Sequence, residues 1–389
     1  MPITRRRLLS RLGAGAAAAA AAPTLAEAAL QSVMAPVRSP GGLLRLHRTE
    51  NGYGPSPHVI RVLQDAVATA TPRHPEYEAD ALQHRLASLH GVTPDRIVLG
   101  CGSTEVLRMA ADAWLGPGTK IVTARPTFDV LGRFAEQRDA AVVAVPLTDQ
   151  HAHHLERMLS AVDAATRLVY ICNPNNPTGT LTRRQDLEAF VHALPQNTYV
   201  VIDEAYHHYV EPSAEYASFI DRPIDDPRII VTRSFSKLFG LAGARIGYAV
   251  ATPATARMLS ACRLPDGVNA LAARAAAAAV DDVDHVELTV QRNADERQEF
   301  FNQATARMLR VVDSQANFVL LDTLVTHTTT TTRPPAEIVE HFKTNRALVA
   351  GPFPGYETYI RVALGTTAEI HEFWRIWDLL PGHHRMSMK

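Results

Sequence analysis

The sequence is poor in cysteine, in net charge and in long apolar runs, and each shortage excludes a class of protein. Its 389 residues include only three cysteines (Cys101, Cys172 and Cys262), too few and too scattered for a disulfide framework or a zinc site. The formal net charge of −1 gives no electrostatic basis for binding nucleic acid or an anionic membrane. Beyond the N-terminal region no stretch is long and apolar enough to span a bilayer.

Familiar catalytic signatures are missing as well. The glycine-containing segment Gly100–Glu105 is neither a Walker A loop nor a GxGxxG fingerprint, and none of the 17 histidines falls in an HExxH pattern. A metal-dependent hydrolase is therefore not indicated. The length exceeds what one hydrophobic core usually supports, so we expect a large domain and a smaller one.

The N-terminus has the pattern of an export signal. The basic run Thr4–Arg7 precedes a weakly hydrophobic Ala/Gly-rich stretch from Leu12 to Ala22, and Ala26-Glu27-Ala28 matches an A-x-A cleavage site. Paired arginines resemble the twin-arginine type, which a receptor reads and which does not anchor the protein. We expect residues 1–28 to be a signal peptide and the protein to be periplasmic or secreted. The alternative is an Ala-rich tail on a cytoplasmic enzyme.

After a linker (29–42), short apolar runs alternate with helical patterns. The runs predict six strands, and several are apolar throughout, as expected of strands covered on both faces: Ile97–Leu99, Ile121–Thr123, Ala141–Val145, Leu168–Cys172, Tyr199–Ile202 and Ile229–Thr232. Helical patterns lie between them, at Glu105–Trp114, Arg183–Leu194 and Thr255–Arg263. Such alternation predicts an α/β domain with a mostly parallel sheet, and active groups should collect at the carboxyl ends of its strands.

The C-terminal part predicts a second, smaller unit. An Ala-rich helix (Ala270–Val280) leads into a long polar helix (Val286–Ala306). Strands are predicted at Asn317–Asp322 and Tyr359–Leu364, with a helix between them and a closing helix from Ala368. The Thr-rich insert Thr326–Pro335 is typical of an exposed loop. We assign 43–73 to an N-terminal segment of the small domain and a dimer arm, 74–280 to the large domain and 281–389 to the C-terminal small domain.

A lysine, two serines and an arginine follow the strand that ends at Thr232. Lys237 lies in an apolar context, Ser234 and Ser236 add hydroxyl groups, and Arg245 adds a planar cation able to bind phosphate through two hydrogen bonds. A buried lysine with a lowered pKa is a nucleophile toward aldehydes. The group suits a small aldehyde that bears a phosphate, although a lysine taken alone is usually a solvated surface residue.

Four further segments follow predicted strands. Asp203 ends a buried run and must be paired to be tolerated there, for instance by a protonated pyridine nitrogen, with Tyr206 nearby. The turn Asn173–Gly179 presents Asn176, Gly100–Glu105 offers free backbone N–H groups at a helix start, and Phe128 could stack on a flat heterocycle. Taken singly, these are ordinary features: a helix cap, a turn, a weak anion site and a core aromatic.

Together and in this order, the motifs resemble those of the fold-type I pyridoxal-phosphate enzymes, within them the class I/II aminotransferases, and most closely the histidinol-phosphate aminotransferases. The resemblance runs from about Arg45 to the C-terminus and adds the segments Thr49–Pro57, Ser314–Asp322 and Tyr359–Val362. It implies a three-layer α/β/α large domain with a mostly parallel mixed sheet, a smaller α+β domain, and a homodimer with each site at the subunit boundary.

The resemblance also implies roles for individual residues. Lys237 would form the Schiff base with pyridoxal 5′-phosphate and then move a proton as general acid and base. Arg361 would bind the substrate carboxylate. The remaining contacts are implied as follows: Asp203 on the pyridine nitrogen; Asn176 and Tyr206 on the O3′ oxygen; Phe128 on the ring; Ser103, Thr104, Ser234, Ser236 and Arg245 on the phosphate; Asn51 and Tyr53 at the substrate entrance.

Two positions depart from the family pattern. His74 stands where a tyrosine usually reaches the partner's coenzyme phosphate, and a histidine can donate the same hydrogen bond. Ala350 falls where histidinol-phosphate enzymes tend to carry a second arginine for the substrate phosphate, and alanine supplies no charge. The sequence therefore predicts transamination between an amino acid, or a related amine, and a 2-oxo acid, without naming either substrate.

Two alternatives stay open. The same lysine and aspartate serve decarboxylation, racemisation and β-elimination, so a pyridoxal-phosphate decarboxylase, lyase or racemase of the same fold is the first. The second is a pyridoxal-phosphate-binding protein without catalysis, which would be expected to lack some member of the coenzyme-binding set.

Overall fold

The protein is described by a computed structural model that covers residues 42–224, 226–323 and 333–380. The predicted signal peptide (1–28), nearly all of the predicted linker and most of the Thr-rich insert lie outside the described residues. None of the described helices is long and apolar enough to cross a membrane.

The strands and helices follow the predicted alternation. The strands are β1 (Leu44–Arg45), β2 (Ile97–Gly100), β3 (Lys120–Arg125), β4 (Ala141–Pro146), β5 (Thr166–Cys172), β6 (Tyr199–Asp203), β7 (Ile229–Ser234), β8 (Gly247–Val250), β9 (Arg310–Val312), β10 (Phe318–Asp322), β11 (Ala347–Leu348) and β12 (Tyr359–Ala363). The helices are α1 (Pro57–Ala70), α2 (Glu76–His90), α3 (Ser103–Trp114), α4 (Val130–Glu136), α5 (Leu155–Ser160), α6 (Arg184–Ala193), α7 (Pro253–Ser260), α8 (Ala270–Asp281), α9 (Val283–Ala306), α10 (Pro335–Thr344) and α11 (Thr367–Trp377).

A seven-stranded sheet carries the larger part of the fold. Its order is β2-β8-β7-β6-β5-β3-β4, and β8 runs antiparallel to both of its neighbours while the other adjacent pairs are parallel. The α/β class with a mostly parallel sheet is thus confirmed. Every residue of β2 and β7 is buried, because helices cover both faces of such a sheet. All six predicted strands are present, whereas β8 was not predicted.

Helix starts are fixed by side chains that the sequence supplies at the right position. At the start of α1 the Ser56 hydroxyl accepts a hydrogen bond of 3.1 Å from the backbone N–H of Val59. Asn269 accepts that of Ala272 at 2.8 Å at the start of α8. At α11, Thr366 and Glu369 form a reciprocal capping box. These caps satisfy N–H groups that the helix leaves free at its first turn.

Buried apolar side chains form a large cluster around the seven-stranded sheet and a second one around β10 and β12. The second cluster is rich in aromatic side chains. The rings of Phe342 and Phe373, for example, are stacked with their centroids 4.9 Å apart. Its three strands are antiparallel in the order β12-β10-β9. In this small sheet Arg361 lies opposite Leu320. The predicted domain boundaries stay a prediction.

Candidate active site

The carboxyl ends of adjacent parallel strands bring the predicted residues together. Asp203 is the last residue of β6, Ser234 the last of β7, and the turn Asn173–Gly179 directly follows β5. Because β5, β6 and β7 are neighbours in the sheet, these three ends lie side by side at one edge, where α/β folds place their ligands.

Lys237 lies in the loop after β7 and turns back toward the N-terminal segment. Its Nζ donates to the backbone oxygen of Thr49 at 3.0 Å and to the Thr49 hydroxyl. The amine also lies 5.2 Å from the centre of the Tyr206 ring. Burial, with Arg361 as a second cause, lowers the pKa of Lys237 from 10.5 to about 7. A large share of the amine is therefore uncharged near neutral pH, as a nucleophile requires.

A continuous chain of hydrogen bonds links this amine to Arg361. The Tyr206 hydroxyl lies 2.9 Å from the Thr49 hydroxyl and accepts a hydrogen bond of 3.1 Å from Nδ2 of Asn176. The Asn176 Oδ1 in turn accepts from Arg361, whose second guanidinium nitrogen donates to the His47 backbone oxygen at 2.7 Å. These hydrogen bonds fix the orientations of the Asn176 amide and the Arg361 guanidinium. The Arg361 Nε is buried without a hydrogen-bond partner among the described residues.

Asp203 is a buried carboxylate to which no cation among the described residues is bound. The residue is only 2% exposed. Its carboxylate accepts hydrogen bonds from the Tyr170 hydroxyl at 2.9 Å and from the Ala205 N–H at 3.1 Å. Burial raises the pKa of Asp203. In the part of the chain that the structure describes, no ion pair involves this carboxylate, so a protonated heterocycle would compensate it.

Close backbone approaches form a cradle for an anion. The guanidinium of Arg245 lies against Gly102, where a Cβ would come within 2.3 Å of it. Gly247 pairs with Ser234, and a Cβ on Gly247 would lie 2.3 Å from the backbone nitrogen of Ser103. Ser103 and Thr104 open α3, and no side chain among the described residues caps that helix. Their N–H groups, the guanidinium and the Ser234 hydroxyl together suit a phosphate.

The other predicted residues are placed less centrally. Ser236 donates its N–H to the Ser234 hydroxyl at 3.1 Å, and Asn51 donates to the backbone oxygen of Leu238 at 2.9 Å. Phe128 is partly buried and packs against the large core. Within this chain His74 is not brought to the site, because its side chain is 81% exposed and lies 3.6 Å from Asp266.

Tyr53 lines a small pocket beside the site together with Asn51 and Asn317. Its hydroxyl donates to Oε1 of Glu296 at 3.3 Å. Glu296 belongs to α9 and is itself buried. The arrangement ties the N-terminal segment to the long helix.

Two residues of the cluster had no role in the sequence analysis. Thr49 connects Lys237 to Tyr206, and Tyr170 holds Asp203. Thr49 belongs to the N-terminal motif, which could have indicated it. Tyr170 lies inside an apolar strand and gave no signal apart from its phenol.

A low-pKa amine, a buried carboxylate and an anion cradle at one sheet edge are the groups expected of a pyridoxal-phosphate enzyme of fold type I. The family model for aminotransferase class I and II matches residues 43–375. The chain belongs to this family and is a pyridoxal-phosphate-dependent aminotransferase.

Relatives and solved structures agree with this assignment. The chain is 34% identical over 334 residues to histidinol-phosphate aminotransferase of Moorella thermoacetica, covering 86% of this chain and 84% of the relative. The enzyme of the same name from Symbiobacterium thermophilum is 35% identical over 333 residues, with 85% and 88% covered. A crystal structure of histidinol-phosphate aminotransferase from Sinorhizobium meliloti with bound pyridoxal 5′-phosphate gives a TM-score of 0.76 at 29% identity, covering 84% of this chain and 88% of that one.

A putative histidinol-phosphate aminotransferase from Erwinia carotovora atroseptica gives a TM-score of 0.78 at 28% identity, with 88% and 96% covered.

Proposed function

We propose that Lys237 is the residue that binds the coenzyme covalently and afterwards carries the proton in amino-group transfer. The observation that supports this most strongly is its amine, buried beside Tyr206 and with its pKa lowered to about 7. Such an amine can attack an aldehyde and can later accept and return a proton near neutral pH. Pyridoxal 5′-phosphate supplies the ring that takes up electrons from the substrate's α-carbon.

The surrounding residues would hold the coenzyme in one orientation. Asp203 would pair with the ring nitrogen, Asn176 and Tyr206 would donate to the ring's phenolic oxygen, and Phe128 would pack against the ring. The phosphate would be bound by Ser103, Thr104, Ser234, Ser236 and Arg245, a set supported by the close approaches at Gly102 and Gly247.

Covalent labelling tests the role of Lys237. The sequence contains four lysines, at 120, 237, 343 and 389, so borohydride reduction of the coenzyme-loaded protein followed by peptide mapping distinguishes them. We expect label on Lys237 alone, and none after Lys237→Ala. Lys343→Ala is the control, since that side chain is 64% exposed on α10, and it should label normally. Persistent label in Lys237→Ala would contradict the assignment.

For the substrate, we propose an amino acid whose carboxylate binds Arg361 and whose far end needs no phosphate contact. Ala350 and Arg361 exchange backbone hydrogen bonds of 3.0 and 2.7 Å as an antiparallel pair. Directly opposite residues of such a pair project to the same face, so a methyl group lies beside Arg361. The second arginine expected from the resemblance is absent at that position of the sequence.

A donor screen against common 2-oxo acids decides this point. We expect amino acids to react faster than histidinol phosphate, the substrate for which the relatives are named. An Ala350→Arg variant should improve kcat/KM for the phosphorylated amine relative to the wild type. A wild type that prefers histidinol phosphate would contradict the substrate proposal. Release of CO₂ or ammonia without transfer to a 2-oxo acid would favour the decarboxylase or lyase alternative instead.

A homodimer is proposed for the assembled enzyme, with His74 reaching the partner's phosphate cradle. Support comes from three exposed apolar side chains: Val67 (54% exposed) and Tyr77 (80%) lie close to His74 in sequence, and Leu264 (54%) lies two residues before Asp266, which His74 contacts. Burying such groups against a second copy is favourable. Light scattering of the purified protein should give twice the chain mass, and Val67→Asp should shift it toward the monomer.

We also propose that the enzyme is exported to the periplasm or beyond through the twin-arginine route. Arg5 and Arg6 with the A-x-A site at Ala26–Ala28 support this. Cell fractionation should find the mature protein outside the cytoplasm, and Arg5→Lys with Arg6→Lys should retain it inside. Cytoplasmic wild-type protein would favour the alternative of an Ala-rich tail.

A further inference from the structure

Tyr170 is a fully buried tyrosine whose hydroxyl faces the carboxylate of Asp203. It lies in the middle of β5, is 1% exposed, and pairs with Val201 of β6 on one side and Thr123 of β3 on the other. Its hydroxyl donates to Oδ2 of Asp203 at 2.9 Å. A phenol at the centre of an apolar strand needs a partner, and this partner is the residue proposed to hold the ring nitrogen.

Each carboxylate oxygen of Asp203 accepts a hydrogen bond from a different donor. Tyr170 donates to Oδ2 and the Ala205 N–H donates to Oδ1. Each carboxylate oxygen has a second lone pair, so both can also face a cation. Hydrogen bonds to the charged form of a carboxylate favour that form, and here they act against the burial that favours the neutral acid.

We propose that Tyr170 is a positioning residue that keeps Asp203 ionised and oriented toward the protonated ring nitrogen of the coenzyme. Burial raises the pKa of Tyr170 well above its ordinary value, so the phenol stays protonated and acts only as a donor. Without it, Asp203 binds a proton more readily and compensates the ring nitrogen less well. The inference rests on the proposed role of Asp203.

Replacing Tyr170 with phenylalanine removes one oxygen and keeps the ring in the core. We expect Tyr170→Phe to bind pyridoxal 5′-phosphate about tenfold more weakly, in line with loss of one hydrogen bond to a charged group. The pH at which the bound coenzyme changes its absorbance should rise. A carboxylate that binds a proton more readily would leave less positive charge on the ring nitrogen, and the coenzyme would then keep its other proton to a higher pH. Both quantities are measured by titration without turnover.

Tyr248→Phe is the matched control. Tyr248 is a 5%-exposed tyrosine of β8 in the same sheet, and its hydroxyl lies 2.8 Å from Nε2 of His90 rather than near Asp203. It should leave the coenzyme's affinity and absorbance transition unchanged. A Tyr170→Phe protein that behaves like Tyr248→Phe in both measurements would overturn the inference.

A double-mutant cycle separates this inference from the proposed function. In an Asp203→Asn background the effect of Tyr170→Phe should disappear; an effect of the same size there would mean that Tyr170 acts through the fold and would overturn the inference. If Asp203→Asn itself leaves coenzyme binding unchanged, the proposed role of Asp203 fails, and the inference with it.

Should Tyr170→Phe not fold, a fluorotyrosine at position 170 provides a stronger donor with the same packing, and the absorbance transition must then move to lower pH.

Discussion

Lys237 should destabilise the coenzyme-free protein at neutral pH, so that Lys237→Met makes it more stable. Its pKa falls from 10.5 to about 7 on folding, which at about 1.36 kcal/mol per pKa unit sets an upper limit of roughly 4–5 kcal/mol. Lys237 as a whole is partly exposed although its amine is buried, and the amine donates two hydrogen bonds to Thr49. We therefore expect a gain of roughly 2–4 kcal/mol in the free energy of unfolding near pH 7.

The pH dependence gives this prediction its sign. The unfolded amine binds a proton below pH 10.5 but the folded amine only below about 7. Between these values the unfolded state binds more protons, so the stability of the wild type rises with pH. The methionine variant has no such group. Its advantage should therefore be close to its maximum at pH 7, change little at lower pH, and fall by about half or more at pH 9.5.

Urea unfolding of the coenzyme-free proteins, followed by the fluorescence of the buried tryptophans, measures the difference at both pH values. Lys343→Met is the control, because that lysine is exposed on α10, and it should give nearly the same stability as the wild type at each pH. A Lys237→Met protein no more stable than the wild type near pH 7, or one whose advantage does not change with pH, would refute the reasoning.

Three further substitutions test the cradle, a helix cap and a buried ion pair. Gly247→Ala should weaken coenzyme binding by about tenfold or more in an equilibrium titration, because its Cβ would lie 2.3 Å from the nitrogen of Ser103. Thr366→Ala should lower the free energy of unfolding by about 1 kcal/mol, since it removes the capping box of α11. Glu204→Gln should lower it by about 3–5 kcal/mol, because it leaves the guanidinium of Arg233, 2.8 Å away, buried without its carboxylate.

Two substitutions serve as controls. Gly243→Ala adds a Cβ with no atom within 4 Å and should bind the coenzyme normally. Glu372→Gln breaks the exposed ion pair with Arg375 and should change the urea midpoint little. If either control behaved like its test variant, steric exclusion at Gly247 or burial at Glu204 would not be the cause of the effect.

The sheet was predictable where a strand contains a short apolar run that lies between helical patterns. Six of the seven strands of the large sheet were predicted from such runs, and β8 was not. It has four residues and begins at Gly247, two positions after Arg245, whose φ is +62°. Strand order could not be predicted, because pairing such as that of β2 with β8 joins segments about 150 residues apart and no local pattern encodes it.

The site was predictable to the extent that it follows the strand ends. Lys237, Asp203 and Asn176 stand just after or at the ends of adjacent strands, so the parallel sheet alone gathers them. Thr49 reaches Lys237 across 188 residues, a contact that depends on where the N-terminal segment lies. Tyr170 could not be separated from the other core residues of β5, since burial and apolar neighbours describe it equally well.

Asp203 and Glu204 show why a buried carboxylate does not by itself mark a site. The two are adjacent and almost equally buried, at 2% and 1% exposure. Glu204 is bound by Arg233, by the Ser218 hydroxyl at 2.6 Å and by a backbone N–H at 2.8 Å. Asp203 has two neutral donors and, within the described residues, no ion pair. The guanidinium of Arg233 compensates Glu204. Of these two carboxylates, Asp203 is therefore the one whose ionised form a cationic ligand would stabilise.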